Sequence, residues 1–309
     1  MQKIEKALKI FNLKPLNIFP VKGDGSRRIF FRLIFKKNSL ILIIPEENPL
    51  AIEESRRYVI VGNFLKKSGI PVPEIKDWYE EKGFILVEDL GNLRLYEAIK
   101  TSSDSFYHYF KILEILKKFQ KLSPRKLSTK GIQLISYSPD FVFEREVLYG
   151  ANNLGIPEDI KFLLKCWVKA VFKKLSEKDF VLVHRDFQSK NIMLKKGMPF
   201  IIDFQGIILG PASYDLASLI FDPYILIPDR LQKIFINYFL YSASEKEKIF
   251  EELRDVRCFR LFQALGAYYK LSREGKIWFK KYIKPTRLLL KKFLRESSFK
   301  HWKELERYL

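Results

Sequence analysis

Apolar residues change their spacing once along this chain, and the change divides it. Ile4, Leu8 and Phe11 recur at helical intervals until Pro15 and Pro20 break the pattern, which predicts a short helix within residues 1–12. Three runs rich in Ile, Phe and Leu follow at 17–21, 28–35 and 39–44, separated by turns at 22–26 and 36–38. They predict three antiparallel strands. From residue 53 to 67 the helical spacing returns, and Ser68-Gly69 with Pro71 and Pro73 ends it. Residues 75–79 and 84–87 then flank a turn as a hairpin. Beyond Asn92 nearly every pattern is helical, with segments near 104–122, 140–153 and 158–176 and others from about Ser213 onward. The expectation is an α+β, bilobal fold: a small antiparallel-sheet N-lobe over 1–90, a hinge at Glu88-Asp89-Leu90-Gly91, and a mainly helical C-lobe over 91–309.

Two short β-rich runs interrupt the helical part, and each ends in polar chemistry. The first is Val181-Leu182-Val183-His184-Arg185-Asp186-Phe187-Gln188-Ser189-Lys190-Asn191-Ile192-Met193; the second is Ile201-Ile202-Asp203-Phe204-Gln205. The His-Arg-Asp-x-x-x-x-Asn pattern is met in full, and an Asp follows at the end of the next strand. Phosphoryl transfer needs a carboxylate beside the acceptor hydroxyl and oxygen ligands that hold magnesium against the β- and γ-phosphates. Asp186 suits the first task, Asn191 and Asp203 the second. His184 is expected to pack and hold the loop rather than act as a base. These runs are expected to face the small sheet across a cleft, where ligands commonly lie.

Composition narrows the setting. With 309 residues, 47% hydrophobic and 15% aromatic, the chain has ample material for a large core and no low-complexity linker. Its apolar runs are strand-sized and the N-terminus lacks a signal-peptide pattern, so a soluble, cytoplasmic protein without membrane association is expected. Cys166 and Cys258, distant and each in a helical pattern, suggest buried thiols rather than a disulfide or zinc site. The formal charge of +20 is spread over scattered lysine pairs, as on a solvated exterior. No helix-turn-helix, zinc-finger or RNP pattern supports nucleic-acid binding.

Four stretches in this order resemble the aminoglycoside-phosphotransferase and choline-kinase superfamily, which has a protein-kinase-like fold. They are Gly23-Asp24-Gly25-Ser26-Arg27-Arg28-Ile29-Phe30-Phe31-Arg32, Leu86-Val87-Glu88-Asp89-Leu90-Gly91, the loop from His184 to Met193, and Ile202-Asp203-Phe204-Gln205 running into Gly210-Pro211-Ala212-Ser213-Tyr214-Asp215-Leu216. Within it the likeness is to the anomeric kinases for N-acetylmuramate and N-acetylglucosamine of cell-wall recycling. The resemblance implies ATP and Mg2+ as cofactors and a structural role for Asp215 in holding the catalytic loop. It also implies phosphate covering by Gly23, Asp24, Gly25 and Ser26, and adenine contacts from the backbone of Glu88 to Leu90. The third strand lacks the usual phosphate-binding lysine, so Arg28 or Arg32 is expected to replace it, unless magnesium and loop amides suffice.

The acceptor is expected to be small. Asp-Phe-Gln stands where protein kinases have Asp-Phe-Gly, no Ala-Pro-Glu follows, and only residues 206–212 precede the next helix signal. Gln188 and Gln205 are placed to bond sugar hydroxyls, or to tie the loops together; Arg145 and Glu146 either address the sugar or form a solvated helix face. The chief expectation is a sugar kinase acting on the anomeric hydroxyl. Alternatives are an aminoglycoside or amino-alcohol phosphotransferase, disfavoured by the positive charge, and a non-catalytic nucleotide- or nucleic-acid-binding protein.

Overall fold

A computed structural model describes residues 2–21, 23, 28–175, 179–241 and 246–309. Its strands are β1 (Asn17–Val21), β2 (Ile29–Ile34), β3 (Ser39–Ile44), β4 (Ile75–Tyr79), β5 (Phe84–Glu88), β6 (Val181–Val183), β7 (Ile192–Lys195), β8 (Met198–Ile201) and β9 (Ile208–Gly210). The chain forms two units. The first holds Met1–Arg94, Arg125–Gln133 and Asn191–Gly206; the second holds Leu95–Pro124, Leu134–Lys190 and Ile207–Leu309.

In the first unit five strands pair antiparallel in the order β1-β2-β3-β5-β4. Alternation along a strand sends successive side chains to opposite faces. Leu42 and Ile44 therefore share one face with Leu33 and Leu86, and the helix Gln2–Ile10 lays Ala7, Ile4 and Leu8 against it. A second helix, Pro49–Lys67, starts four residues before the predicted position. Asn48 caps it by accepting a hydrogen bond from Ala51 N at 2.9 Å, and Pro49 fits the first turn because no helix partner is needed there. Apolar periodicity cannot mark a start made by a cap and a proline.

The β7–β8 hairpin belongs to this first unit, whereas the sequence reading put it in the helical part. Its backbone explains the placement: Leu194 N donates to Leu93 O and Ile201 N donates to Pro71 O, both at 2.8 Å. Gly62, on the second helix, admits the segment that follows the hairpin, since a Cβ there would stand 3.0 Å from the Phe204 ring.

The second unit is mostly helical and is built along Lys246–Arg273, a 28-residue helix that buries Leu253, Val256, Phe259, Phe262 and Leu265. Gly150 approaches this helix so closely that a Cβ would lie 2.3 Å from Phe262 O. β6 and β9 pair antiparallel within this unit. Cys258 is buried as expected, but Cys166 is exposed: it falls between the buried Leu164 and the buried Trp167 on the outward side of the helix Glu158–Phe172. Among the described residues no helix is long and apolar enough to cross a membrane.

Candidate active site

Antiparallel pairing of Ile192 with Ile201 brings the two ends of the hairpin together. Asn191 enters β7 and Asp203 lies two residues past β8, and Ile202 N donates to Asn191 O at 3.0 Å. Backbone pairing thus brings two residues with oxygen-bearing side chains, twelve positions apart, to the same end of the hairpin. Asp203 has φ +64°, a left-handed conformation that is costly for a residue with a Cβ and is kept only where surroundings enforce it. Those surroundings are visible. Arg28 Nη2 and Gln205 Nε2 both donate to Asp203 Oδ1, at 3.0 and 2.9 Å. The helix Pro49–Lys67 holds the next turn, with Tyr58 packed on Phe204 at 4.7 Å between ring centres and Arg57 Nε donating to Gln205 O at 2.5 Å.

One amide and one carboxylate suit a hard cation such as Mg2+, which keeps several waters and takes its remaining oxygens from substrate phosphates. Among the described residues no group of three or more His, Cys, Asp or Glu side chains could hold a metal. The donor set therefore fits a nucleotide-borne magnesium better than a dedicated protein cage.

The loop bearing Asp186 lies in the second unit and is tied from below by three buried side chains. Asp215 accepts from His184 N at 2.7 Å and from Arg185 N at 3.0 Å, which holds Arg185 at φ +77°. Asp222 accepts from both Ser189 N and Ser189 Oγ, at 2.8 and 2.5 Å. Arg260, far along the chain, reaches Asp186 Oδ1 at 3.3 Å and Gln188 Oε1 at 2.8 Å. At the loop's end the Lys190 ammonium sits 4.4 Å from the Tyr224 ring centre and 5.3–5.4 Å from those of Tyr96, Phe279 and Tyr282. His184 is buried and packs edge-on to Phe187.

Other sequence candidates are distributed as follows. Arg32 grips Asp89 through Nε at 2.6 Å and Nη2 at 3.0 Å, and Nη2 also donates to Gly91 O. Its guanidinium is thus engaged with the predicted hinge. Glu88 pairs with Lys195 at 2.7 Å, and its backbone N donates to Glu74 O; Leu90 is buried. Burial favours the neutral Glu88 carboxyl, but Lys195 and the Glu74 amide outweigh it and hold Glu88 below the usual carboxylate range. Gly23 is exposed, while Asp24, Gly25 and Ser26 lie outside the described residues. Arg145 and Glu146 part company: Arg145 is exposed, and Glu146 is buried, accepting from Tyr137 and Tyr214 hydroxyls at 2.6 and 2.9 Å.

Burial raises the Asp215 carboxyl to about 7, against the pull of its two backbone donors. Two opposite pH effects are expected. Because the folded value lies above the ordinary carboxylate value of 3.8, the stability contributed by this group is complete below that pH and is lost as pH rises toward 7. The loop, however, is held best by the ionised carboxylate, so activity should fall as pH drops through about 7. Comparing melting temperatures and turnover of wild type and Asp215→Asn between pH 5 and 8 checks both. An inflection in turnover near pH 7 that persists in the variant would assign it elsewhere.

The family model described as "Phosphotransferase enzyme family" matches residues 18–249. An N-acetylmuramate/N-acetylglucosamine kinase of Pseudomonas aeruginosa is 29% identical over 239 residues, which cover 74% of this chain and 67% of that one. A kinase of the same name from Neisseria meningitidis is 28% identical over 212 residues, 66% of this chain and 60% of its own length. The chain therefore spans about three fifths of that relative's length. A choline/ethanolamine kinase family protein from Mesorhizobium loti superposes with a TM-score of 0.67 at 12% identity, over 99% of this chain and 100% of its own. A spectinomycin phosphotransferase does so with a TM-score of 0.63 at 15% identity, over 92% and 93%. At these identities the structural likeness is one of fold.

Proposed function

The chain belongs to the phosphotransferase enzyme family, and from its site we propose an ATP- and Mg2+-dependent kinase that phosphorylates the anomeric hydroxyl of N-acetylmuramate or N-acetylglucosamine. The observation that carries the chemistry is the loop that bears Asp186 and ends at Asn191, where the β7–β8 hairpin returns Asp203. The names of the curated relatives support the acceptor.

In this reading Asp186 accepts a hydrogen bond from the acceptor hydroxyl and takes its proton as the new O–P bond forms and the bond from the γ-phosphorus to the leaving ADP oxygen breaks. Asn191 and Asp203 would hold the magnesium, which when bound would neutralise charge on the phosphate oxygens. Gln205 and Arg28 fix the Asp203 carboxylate through Oδ1. The Arg28 guanidinium also lies 5.9 Å from the ring centres of both Phe30 and Tyr58. It orients the metal ligand in this role, whether or not it also meets a phosphate.

The product distinguishes this reading from its rivals. Incubation with Mg–ATP and either sugar should give a sugar 1-phosphate that fails to reduce alkaline copper and releases phosphate in mild hot acid, because the ring oxygen stabilises the departing cation. An acid-stable, reducing ester would place the phosphate on another hydroxyl. Turnover of aminoglycosides or choline with none of the amino sugars would overturn the acceptor class.

A further inference from the structure

Arg260 lies outside the stretch matched by the family model and has no motif around it, yet among the described residues it is a more deeply buried cation than Lys190 beside the proposed base. It sits in the middle of the helix Lys246–Arg273 with only 4% of its surface exposed. A guanidinium is costly to bury unless every donor is matched and its charge is met. Here Nε donates to Ser218 Oγ at 3.1 Å, Nη1 to the Gln263 side-chain oxygen, and Nη2 to both Asp186 Oδ1 and Gln188 Oε1. Burial disfavours the charged form, but its neighbours, Asp186 foremost, more than offset it, so the side chain stays cationic.

We propose that Arg260 is a positioning residue for phosphoryl transfer: one buried guanidinium fixes the Asp186 carboxylate and turns the Gln188 amide so that its carbonyl faces inward and its NH2 faces the acceptor. This deepens the kinase reading and rests on Asp186 being the base. Two consequences follow from the bonding. Nη2 holds the Asp186 carboxylate through Oδ1 and so fixes the plane in which it meets the acceptor hydroxyl. With Oε1 of Gln188 engaged by the same nitrogen, its amide acts toward the substrate as a donor only, suited to a ring or hydroxyl oxygen. The acceptor is thereby oriented by a group two residues from the base, and both are set by one side chain. The rigid helix makes this arrangement fixed before substrate arrives, which is how positioning lowers a barrier.

The test compares Arg260→Ala and Arg260→Lys with wild type in acceptor phosphorylation and in the slow transfer of phosphate from ATP to water, which needs the same base but no sugar. The expected result is a fall in kcat of about a hundredfold in Arg260→Ala, within the range general-base placement supplies, with KM for ATP and the calorimetric affinity for Mg–ADP within about threefold. Added guanidinium ion should restore part of the lost rate, and Arg260→Lys should keep the charge but not the double contact, so it should fall between the two. Should Arg260→Ala fail to fold, the lysine variant carries the same comparison, since it retains a buried cation. Turnover near wild type in both variants would overturn the proposal. So would a parallel loss of nucleotide affinity and melting temperature with no rescue, which marks a residue that only supports the fold. If wild type phosphorylates no amino sugar, the acceptor assignment fails, while the water reaction still reports on Arg260.

Discussion

Asp186→Asn is expected to lower kcat by about 10²–10⁴-fold while leaving Mg–ADP affinity close to wild type. Asparagine has nearly the same shape, and its carbonyl oxygen can still accept from Arg260, so the loop should keep its form. What is lost is a carboxylate able to receive a proton from the acceptor. The side chain is 39% exposed, enough to be reached from solvent, and the backbone around it is held by Asp215 and Asp222 rather than by Asp186 itself. The substitution therefore removes the charge of the reacting group while the loop's backbone anchors stay in place. Steady-state kinetics and calorimetric titration of Mg–ADP separate the two quantities. Turnover within tenfold of wild type would remove Asp186 from the role of base.

Local pattern carried much of this molecule. β1 and β3 stand where apolar, β-branched-rich runs between turns place them. Asp186, Asn191 and Asp203, the proposed base and metal ligands, stand out by their spacing along two short runs. The partners that hold them do not. Arg260 lies 74 residues from Asp186 on a helix whose other positions are ordinary, and Asp222 reaches back 33 residues to Ser189. Nothing in a linear pattern marks a buried ion pair formed by two distant elements. Arg32 is the instructive case. Proximity to the lysine-free strand points to it, and its guanidinium closes on Asp89 beside Ser39, where Ser39 Oγ donates to the same carboxylate at 2.7 Å. Glu146 shows the same limit from the other side, since a helical charge pair reads as solvated until Tyr137 and Tyr214 are seen to enclose it.

Asp203→Ala should fail differently from Asp186→Asn, and the difference tests the division of labour. Removing this carboxylate takes away an oxygen ligand for the nucleotide-borne magnesium, so the magnesium concentration for half-maximal rate should rise tenfold or more, roughly the 1.4 kcal/mol that a factor of ten represents. Nucleotide affinity should fall with it, which Asp186→Asn is not expected to show. A structural effect accompanies the chemical one. Asp203 is the acceptor for Arg28 Nη2 and Gln205 Nε2, and the Arg28 side chain is only 9% exposed, so deleting the carboxylate leaves a nearly buried guanidinium without this partner, a change that costs about 1–3 kcal/mol. Alanine is also poorly suited to the φ of +64° that Asp203 adopts. Asp203→Asn separates these contributions. Its amide oxygen keeps an acceptor for Arg28 and Gln205 and tolerates a left-handed backbone, so stability should return toward wild type while the magnesium requirement stays raised. If Asp203→Asn instead recovers normal magnesium dependence, charge at this position is not what holds the metal. If both variants bind Mg–ATP as wild type does, the hairpin that joins Asn191 to Asp203 serves the fold and not the nucleotide.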